Sequence, residues 1–333
     1  MVKDTINSFI LIRIPFSLSP KIPCMKILLL DKNHPLITVQ LSEKNFLLEE
    51  DFTSSYEEVG RKIDQYDGII IRSRIPLDKS LLEKAHNLKF IARVGAGMEN
   101  IDVEAAAELG IQLINSPEGN RDSVAEHVVG MLLILMNRLF IASQEVKRGI
   151  WLREENRGDE LLGKTVGLIG YGHMGKATAK RLSGFGCSVI FHDILPGLSD
   201  EFATQVSMEE LQASADILSL HIPLTDQTRY LVNEAFIAGM HKDFYFVNTA
   251  RGKNVDTQSL VRALQSGKVK GACLDVLEYE KSSFENLEEN NQDLTYLLGS
   301  DKVIVTPHIA GWTHQSKEKL AQVIVDKILS SFS

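Results

Sequence analysis

The stretch from Thr165 to Asp193, TVGLIGYGHMGKATAKRLSGFGCSVIFHD, constrains the rest of the chain more than any other. Val166, Leu168 and Ile169 form a short apolar run suited to a buried parallel strand. Gly170, Gly172 and Gly175 come next as G-x-G-x-x-G. The first permits a sharp turn, the second lets backbone approach a pyrophosphate, and the third lets a helix pack close to the sheet. N–H groups opening that helix, at His173 and Met174, face the phosphates. A second apolar strand, residues 189–191, runs to Asp193, about where a ribose-binding carboxylate belongs. Strand, turn, helix, strand and terminal acid together predict a dinucleotide site. The Asp193 charge opposes a 2′-phosphate, so the expected cofactor is NAD rather than NADP.

The chain has 333 residues, enough for two domains with sizeable cores. Its net charge of −8 and lack of a basic run argue against nucleic acid as a partner. Any anionic substrate therefore needs a local cluster of Arg or Lys. The cysteines, Cys24, Cys187 and Cys273, are odd in number and have no metal-ligand spacing, which suits a reducing cytoplasm and predicts no metal. No uncharged apolar run approaches the roughly 18 residues of a membrane helix. Residues 1–24 match the remainder of the chain poorly and read as an N-terminal extension, with Met25 opening the first good strand.

Two α/β lobes are expected. In the first, residues 27–30, 68–71, 90–94 and 112–114 read as strands, with helices at 81–86 and 103–109. In the second, strands at 216–220, 244–248, 271–276 and 303–305 join the two around the glycine turn, six in all, the number in a double mononucleotide-binding fold. Ser123-Val-Ala-Glu126 resembles a capping box and predicts that a helix opens there. That helix is apolar nearly all round to Phe140, hence buried, with His127 structural. Residues 148–163 read as an extended connection anchored by Trp151, and 281–299 as a surface loop.

Strand C-termini in such sheets border the ligand crevice. Ile71-Arg72-Ser73-Arg74 puts two guanidinium groups and a hydroxyl past one strand end. Spaced two apart on an extended chain, Arg72 and Arg74 point the same way and predict one shared anion. Val94-Gly95-Ala96 lies past another strand, with small residues whose N–H groups offer a nest for a carboxylate. HIPLT from His221, NTARG to Gly252, LDVLEYE to Glu280 and TPHIAG from Thr306 lie past four more, so an Arg, a Glu and a His converge beside the dinucleotide.

These motifs resemble those of the D-isomer-specific 2-hydroxyacid dehydrogenases, over about Met25 to Phe332, and most closely the phosphoglycerate dehydrogenases among them. The resemblance implies an α/β fold of two doubly wound parallel-sheet lobes, a Rossmann NAD domain inserted into a flavodoxin-like substrate domain. The substrate lobe would comprise 25–122 and 306–333, the NAD lobe 123–305. Arg251, Glu280 and His308 match the residues that perform the reaction. Asp275 matches the acid that holds the nicotinamide amide, Asp193 the ribose acid. Ile222, Thr249, Ala250, Arg251, His308 and Gly311 would complete the cofactor site, and Arg72, Ser73, Arg74, Val94, Gly95 and Ala96 the substrate site. The implied activity is NAD-dependent oxidation of D-3-phosphoglycerate, a step of serine biosynthesis, in a homodimer whose partner molecule is a phosphorylated 2-hydroxy acid. Two departures stand out. Lys281 comes after Glu280 where the family usually has Pro, and the chain stops before the regulatory domain of some phosphoglycerate dehydrogenases. A reductase of glyoxylate, hydroxypyruvate or another small 2-oxo acid is the alternative, and a non-enzymatic NAD sensor the remote one.

Overall fold

The computed structural model describes residues 25–280 and 291–332. Two wholly parallel sheets organise them, with helices on both faces. The expected extension, residues 1–24, and Lys281 with most of the expected acidic loop lie outside the described residues.

The first sheet has five strands: β1 Lys26–Leu29, β2 Leu47–Glu50, β3 Gly68–Ile71, β4 Phe90–Arg93 and β5 Gln112–Asn115. Their order is β2-β1-β3-β4-β5, the flavodoxin-like winding. β1 and β3 read KILL and GIII and are buried almost throughout, as a strand covered on both faces requires. β2 is the one sequence reasoning missed. It is an edge strand, LLEE, with too few apolar residues to announce itself.

The second sheet has seven strands: β6 Thr165–Ile169, β7 Ser188–His192, β8 Thr204–Gln205, β9 Ile217–Leu220, β10 Phe244–Asn248, β11 Val269–Leu274 and β12 Val303–Val305. The order β12-β11-β10-β9-β6-β7-β8 places the reversal of winding between β6 and β9. That is the switch point where ligands bind in such sheets. The six expected strands are present, and the two-residue β8 adds an edge.

Several helices open where side chains cap them. Ser55, Asp78, Asp102, Ser207, Asn233 and Asn291 each accept a backbone N–H of the first turn. The long helix Pro117–Met136 differs from expectation. It opens at Pro117, not Ser123, because proline at the first helical position fixes φ with no N–H to lose. Ser123 lies one and a half turns inside, buried, and its hydroxyl donates to the Ala310 carbonyl at 2.6 Å. Glu126 caps nothing and faces Arg181 at 3.5 Å. The helix also crosses the expected domain boundary at residues 122–123. After Arg138, in the left-handed region, Leu139–Lys147 forms a separate helix. Trp151 does not anchor the next segment, being 81% exposed. Within the expected loop, Gln292–Gly299 is a helix whose Leu294 and Leu297 pack into the second core.

The final helix, His314–Phe332, returns to the first sheet. Leu320, Ala321, Ile324, Val325 and Ile328 join Ile27, Leu29, Ile70 and Ala92 in one buried cluster. No single helix among the described residues is long and apolar enough to cross a membrane.

Candidate active site

The C-terminal ends of both sheets open onto one cleft of about 1030 Å³. β3 delivers Arg72 and Ser73, β4 Arg93 to Glu99, β9 His221 and Ile222, β10 Thr249 to Arg251, β11 Asp275, and the chain after β12 His308 to Gly311. The cleft thus has walls from both lobes, as the strand-end positions of the motifs predicted.

Gly170 has φ +92, and a Cβ there would lie 2.6 Å from the His221 carbonyl oxygen. At Gly175 a Cβ would meet the Gly170 oxygen at 2.3 Å. Only glycine permits this tight turn and close helix. At Gly172 a Cβ would meet nothing within 4 Å, so open space lies against bare backbone at the start of the helix His173–Leu182. Asp193 closes β7, and its carboxylate accepts the N–H of Tyr171 (2.7 Å) and of Leu195 (2.9 Å), tying the second strand to the turn. His173, Met174, Ile222, Thr249, Ala250 and Gly311 line the cleft; Gly170, Gly172, Gly175 and Asp193, expected in the cofactor site, are not among the residues lining it. The Thr249 hydroxyl is buried with no partner among the described residues, an acceptor and donor left for a ligand. An open phosphate seat and an unspent hydroxyl fit a dinucleotide.

His308 and Glu280 meet. His308 Nδ1 lies 2.8 Å from Glu280 Oε2, and Glu280 Oε1 accepts the N–H of Leu277 at 2.5 Å. His308 has φ +56, an uncommon conformation for a residue with a side chain and one that concentrates at functional sites. Asp275 holds it there. The Asp275 carbonyl accepts the His308 N–H at 2.8 Å, and its carboxylate takes the N–H groups of Ile309 and Ala310, both at 2.8 Å, and the Thr306 hydroxyl at 2.5 Å. Asp275 lines the cleft but is 1% exposed, so its carboxylate is committed to the loop that carries His308. His127 bonds the same Thr306 hydroxyl at 3.0 Å, the structural role expected of it.

Three arginines line the cleft. Arg251 donates from Nε to Glu99 Oε1 at 2.5 Å and from NH1 to the Ala250 carbonyl at 2.6 Å. Burial pushes the Glu99 carboxyl up, but the charge and hydrogen bond of Arg251 outweigh it and hold the group below the usual range. Arg72 lays its guanidinium over the Trp312 ring, 4.3 Å from its centre. Arg93 donates to the Arg72 carbonyl at 3.2 Å, and burial brings its guanidinium down to about 10.

Arg74 does not share the anion expected of it. Its guanidinium donates to the carbonyls of Leu30 (2.6 Å), Ser54 (2.5 Å) and Asp51 (3.2 Å), all structural. β3 ends at Ile71 and the chain bends, so the alternation of a strand no longer relates Arg72 to Arg74. The expected nest is largely spent too. Val94 N–H pairs with Ile71 in the sheet, and Gly95 N–H with Ser116 Oγ at 3.1 Å, which leaves Ala96 alone of the three. Sequence reasoning missed Arg93, Glu99 and Trp312. The first two flank the small residues Val94, Gly95 and Ala96 closely, and only those small residues drew notice.

Residues 129–310 match the family model described as D-isomer specific 2-hydroxyacid dehydrogenase, NAD binding domain. The chain is 37% identical over 272 residues to the hydroxypyruvate reductase of Thermotoga maritima, covering 82% of this chain and 87% of that one. It is 38% identical over 278 residues to the D-3-phosphoglycerate dehydrogenase of Methanocaldococcus jannaschii, covering 82% of this chain but only 51% of the relative. The solved D-lactate dehydrogenase of Aquifex aeolicus, complexed with NAD and lactic acid, superposes with a TM-score of 0.79 at 31% identity, covering 92% of this chain and 95% of that one.

Proposed function

The chain belongs to the D-isomer specific 2-hydroxyacid dehydrogenases, and on that premise we propose that it interconverts D-3-phosphoglycerate and 3-phosphohydroxypyruvate with NAD. The observation that carries the substrate is cationic. Arg251 is one guanidinium for one carboxylate, yet Arg72 and Arg93 bring two more to the first-lobe wall of the same cleft. Asp31 and Glu99 line the same wall and offset that charge, so the case for a second anion rests on the two guanidinium forks themselves. Phosphate suits arginine because its oxygens match the guanidinium fork.

NAD, when bound, supplies the hydride chemistry at C2 of the acid. The chain's residues do the rest. His308 exchanges a proton with the C2 oxygen through Nε2, since Nδ1 faces Glu280. Glu280 fixes the ring and balances its charge when protonated. Arg251 binds the carboxylate and stabilises negative charge developing at the C2 oxygen. The lobes exclude water where their walls meet.

The second reading, a reductase of hydroxypyruvate or glyoxylate, is favoured by Arg74, which is withdrawn from the cleft. Arg72→Ala separates the two. Losing one charge-assisted phosphate contact should lower kcat/KM for 3-phosphohydroxypyruvate by roughly 10- to 100-fold while hydroxypyruvate turnover hardly changes. Equal losses on both substrates favour the second reading. For assembly we read a homodimer: Leu139, Phe140, Val146, Ile150 and Trp151 expose apolar side chains along one continuous stretch, an interface-like patch.

A further inference from the structure

Glu99 stands in the turn after β4, on the first lobe, and Arg251 lies just past β10 on the second. Their side chains meet across the cleft at 2.5 Å. A guanidinium is planar, so bonds from Nε to Glu99 and from NH1 to the Ala250 carbonyl fix both its place and its rotation. The chain makes room for this pair. At Gly97 a Cβ would lie 2.1 Å from Glu99 Oε2 and 2.2 Å from Arg251 NH2, so any other residue there would displace the pair. Ala250 and Glu99 thus hold the arginine from opposite lobes.

We propose that Glu99 is a positioning residue for the reaction: from across the cleft it grips the Nε edge of Arg251 and turns the NH1–NH2 end toward the substrate carboxylate. This rests on the role given to Arg251 above. The alignment is complete only when the lobes are together, so the pair couples cleft geometry to substrate capture. A carboxylate beside an anion's seat also has an opposing effect, because it repels the substrate. The sign of the mutational effect decides between them. With Glu99 a mere obstacle, removing it tightens anion binding; with Glu99 as positioner, removing it loosens binding although the cleft becomes more positive.

The probe is oxalate, a planar carboxylate mimic of a 2-oxo acid, titrated into the complex of the full chain with NADH and monitored by cofactor fluorescence. Glu99→Gln keeps the size and an acceptor oxygen, which guards against simple unfolding; Glu99→Asp tests rescue. Glu99→Gln should weaken oxalate by about tenfold, the loss of roughly one charge-assisted contact, with NADH affinity unchanged. kcat/KM for 3-phosphohydroxypyruvate should fall in parallel, and Glu99→Asp should recover part of both. In an Arg251→Lys background Glu99→Gln should add little, since both act through one contact. Unchanged or tighter oxalate binding in Glu99→Gln overturns the proposal and leaves the function standing. A wild-type protein that neither binds oxalate nor turns over any 2-oxo acid overturns both.

Discussion

Nδ1 of His308 lies 2.8 Å from Oε2 of Glu280, although the two residues come after different strands of the second sheet. The pair needs three supports at once: the left-handed backbone of His308, the Asp275 carboxylate under its loop, and the Leu277 N–H on the far oxygen of Glu280. In the proposed mechanism, proton transfer at the C2 oxygen would depend on that arrangement. His308→Ala should lower kcat by roughly 10²–10⁴-fold, the usual worth of a positioned acid–base group, and leave NAD binding nearly unchanged. Glu280→Gln should cost less, since it removes the partner and not the proton carrier. Steady-state kinetics with a parallel NADH titration checks both.

His221 makes stability depend on pH. Burial drives its imidazole down to about 4 from an ordinary 6.5. Nδ1 is buried without a partner among the described residues, and Nε2 reaches only Ser219 Oγ at 3.0 Å. Between those two values the unfolded chain binds a proton that the folded chain refuses. Stability is therefore fully present above about pH 6.5 and falls as pH drops toward 4, by on the order of 3 kcal/mol. Urea unfolding of His221→Gln at pH 7 and pH 4.5 should show a smaller loss between the two than wild type shows. Equal losses would mean that the ring is not the cause.

Arg74 should matter to stability and not to specificity. Its guanidinium satisfies the carbonyls of Leu30, Ser54 and Asp51. Arg74→Ala leaves those oxygens to find water, at a cost of about 2 kcal/mol by the usual worth of hydrogen bonds to a charged group. The denaturation midpoint should drop, while the ratio of kcat/KM for phosphorylated over unphosphorylated substrate stays near wild type. A changed ratio at unchanged stability would return Arg74 to the substrate site.

Legibility in the sequence tracked the range of the cause. The glycine turn at Gly170 to Gly175 is set by backbone sterics within a few residues, so its conformation could be read directly. Strand ends such as that before Thr249 were readable for the same reason: an apolar run stops and polar chemistry begins. Arg74 misled because the extended geometry assumed for it stops at Ile71. Ser123 misled because Pro117, six residues earlier, starts the helix first and leaves the Ser123 hydroxyl to hold the Ala310 carbonyl. Glu99 on Arg251 was beyond reach, because nothing local to either residue marks a partner on the other lobe. The edge strand Leu47–Glu50 failed on composition, having two acids among four residues and none of them buried.

The central claim is that this cleft carries NAD-linked chemistry on a phosphorylated 2-hydroxy acid. The most direct measurement is the initial rate of NADH oxidation with 3-phosphohydroxypyruvate, hydroxypyruvate and glyoxylate at matched concentrations. The account predicts turnover with all three, with kcat/KM for the phosphorylated acid higher by at least tenfold, about 1.4 kcal/mol, on the proposal that Arg72 and Arg93 seat its phosphate. Preference for an unphosphorylated acid would contradict the substrate assignment, and no turnover with any of the three would contradict the account as a whole.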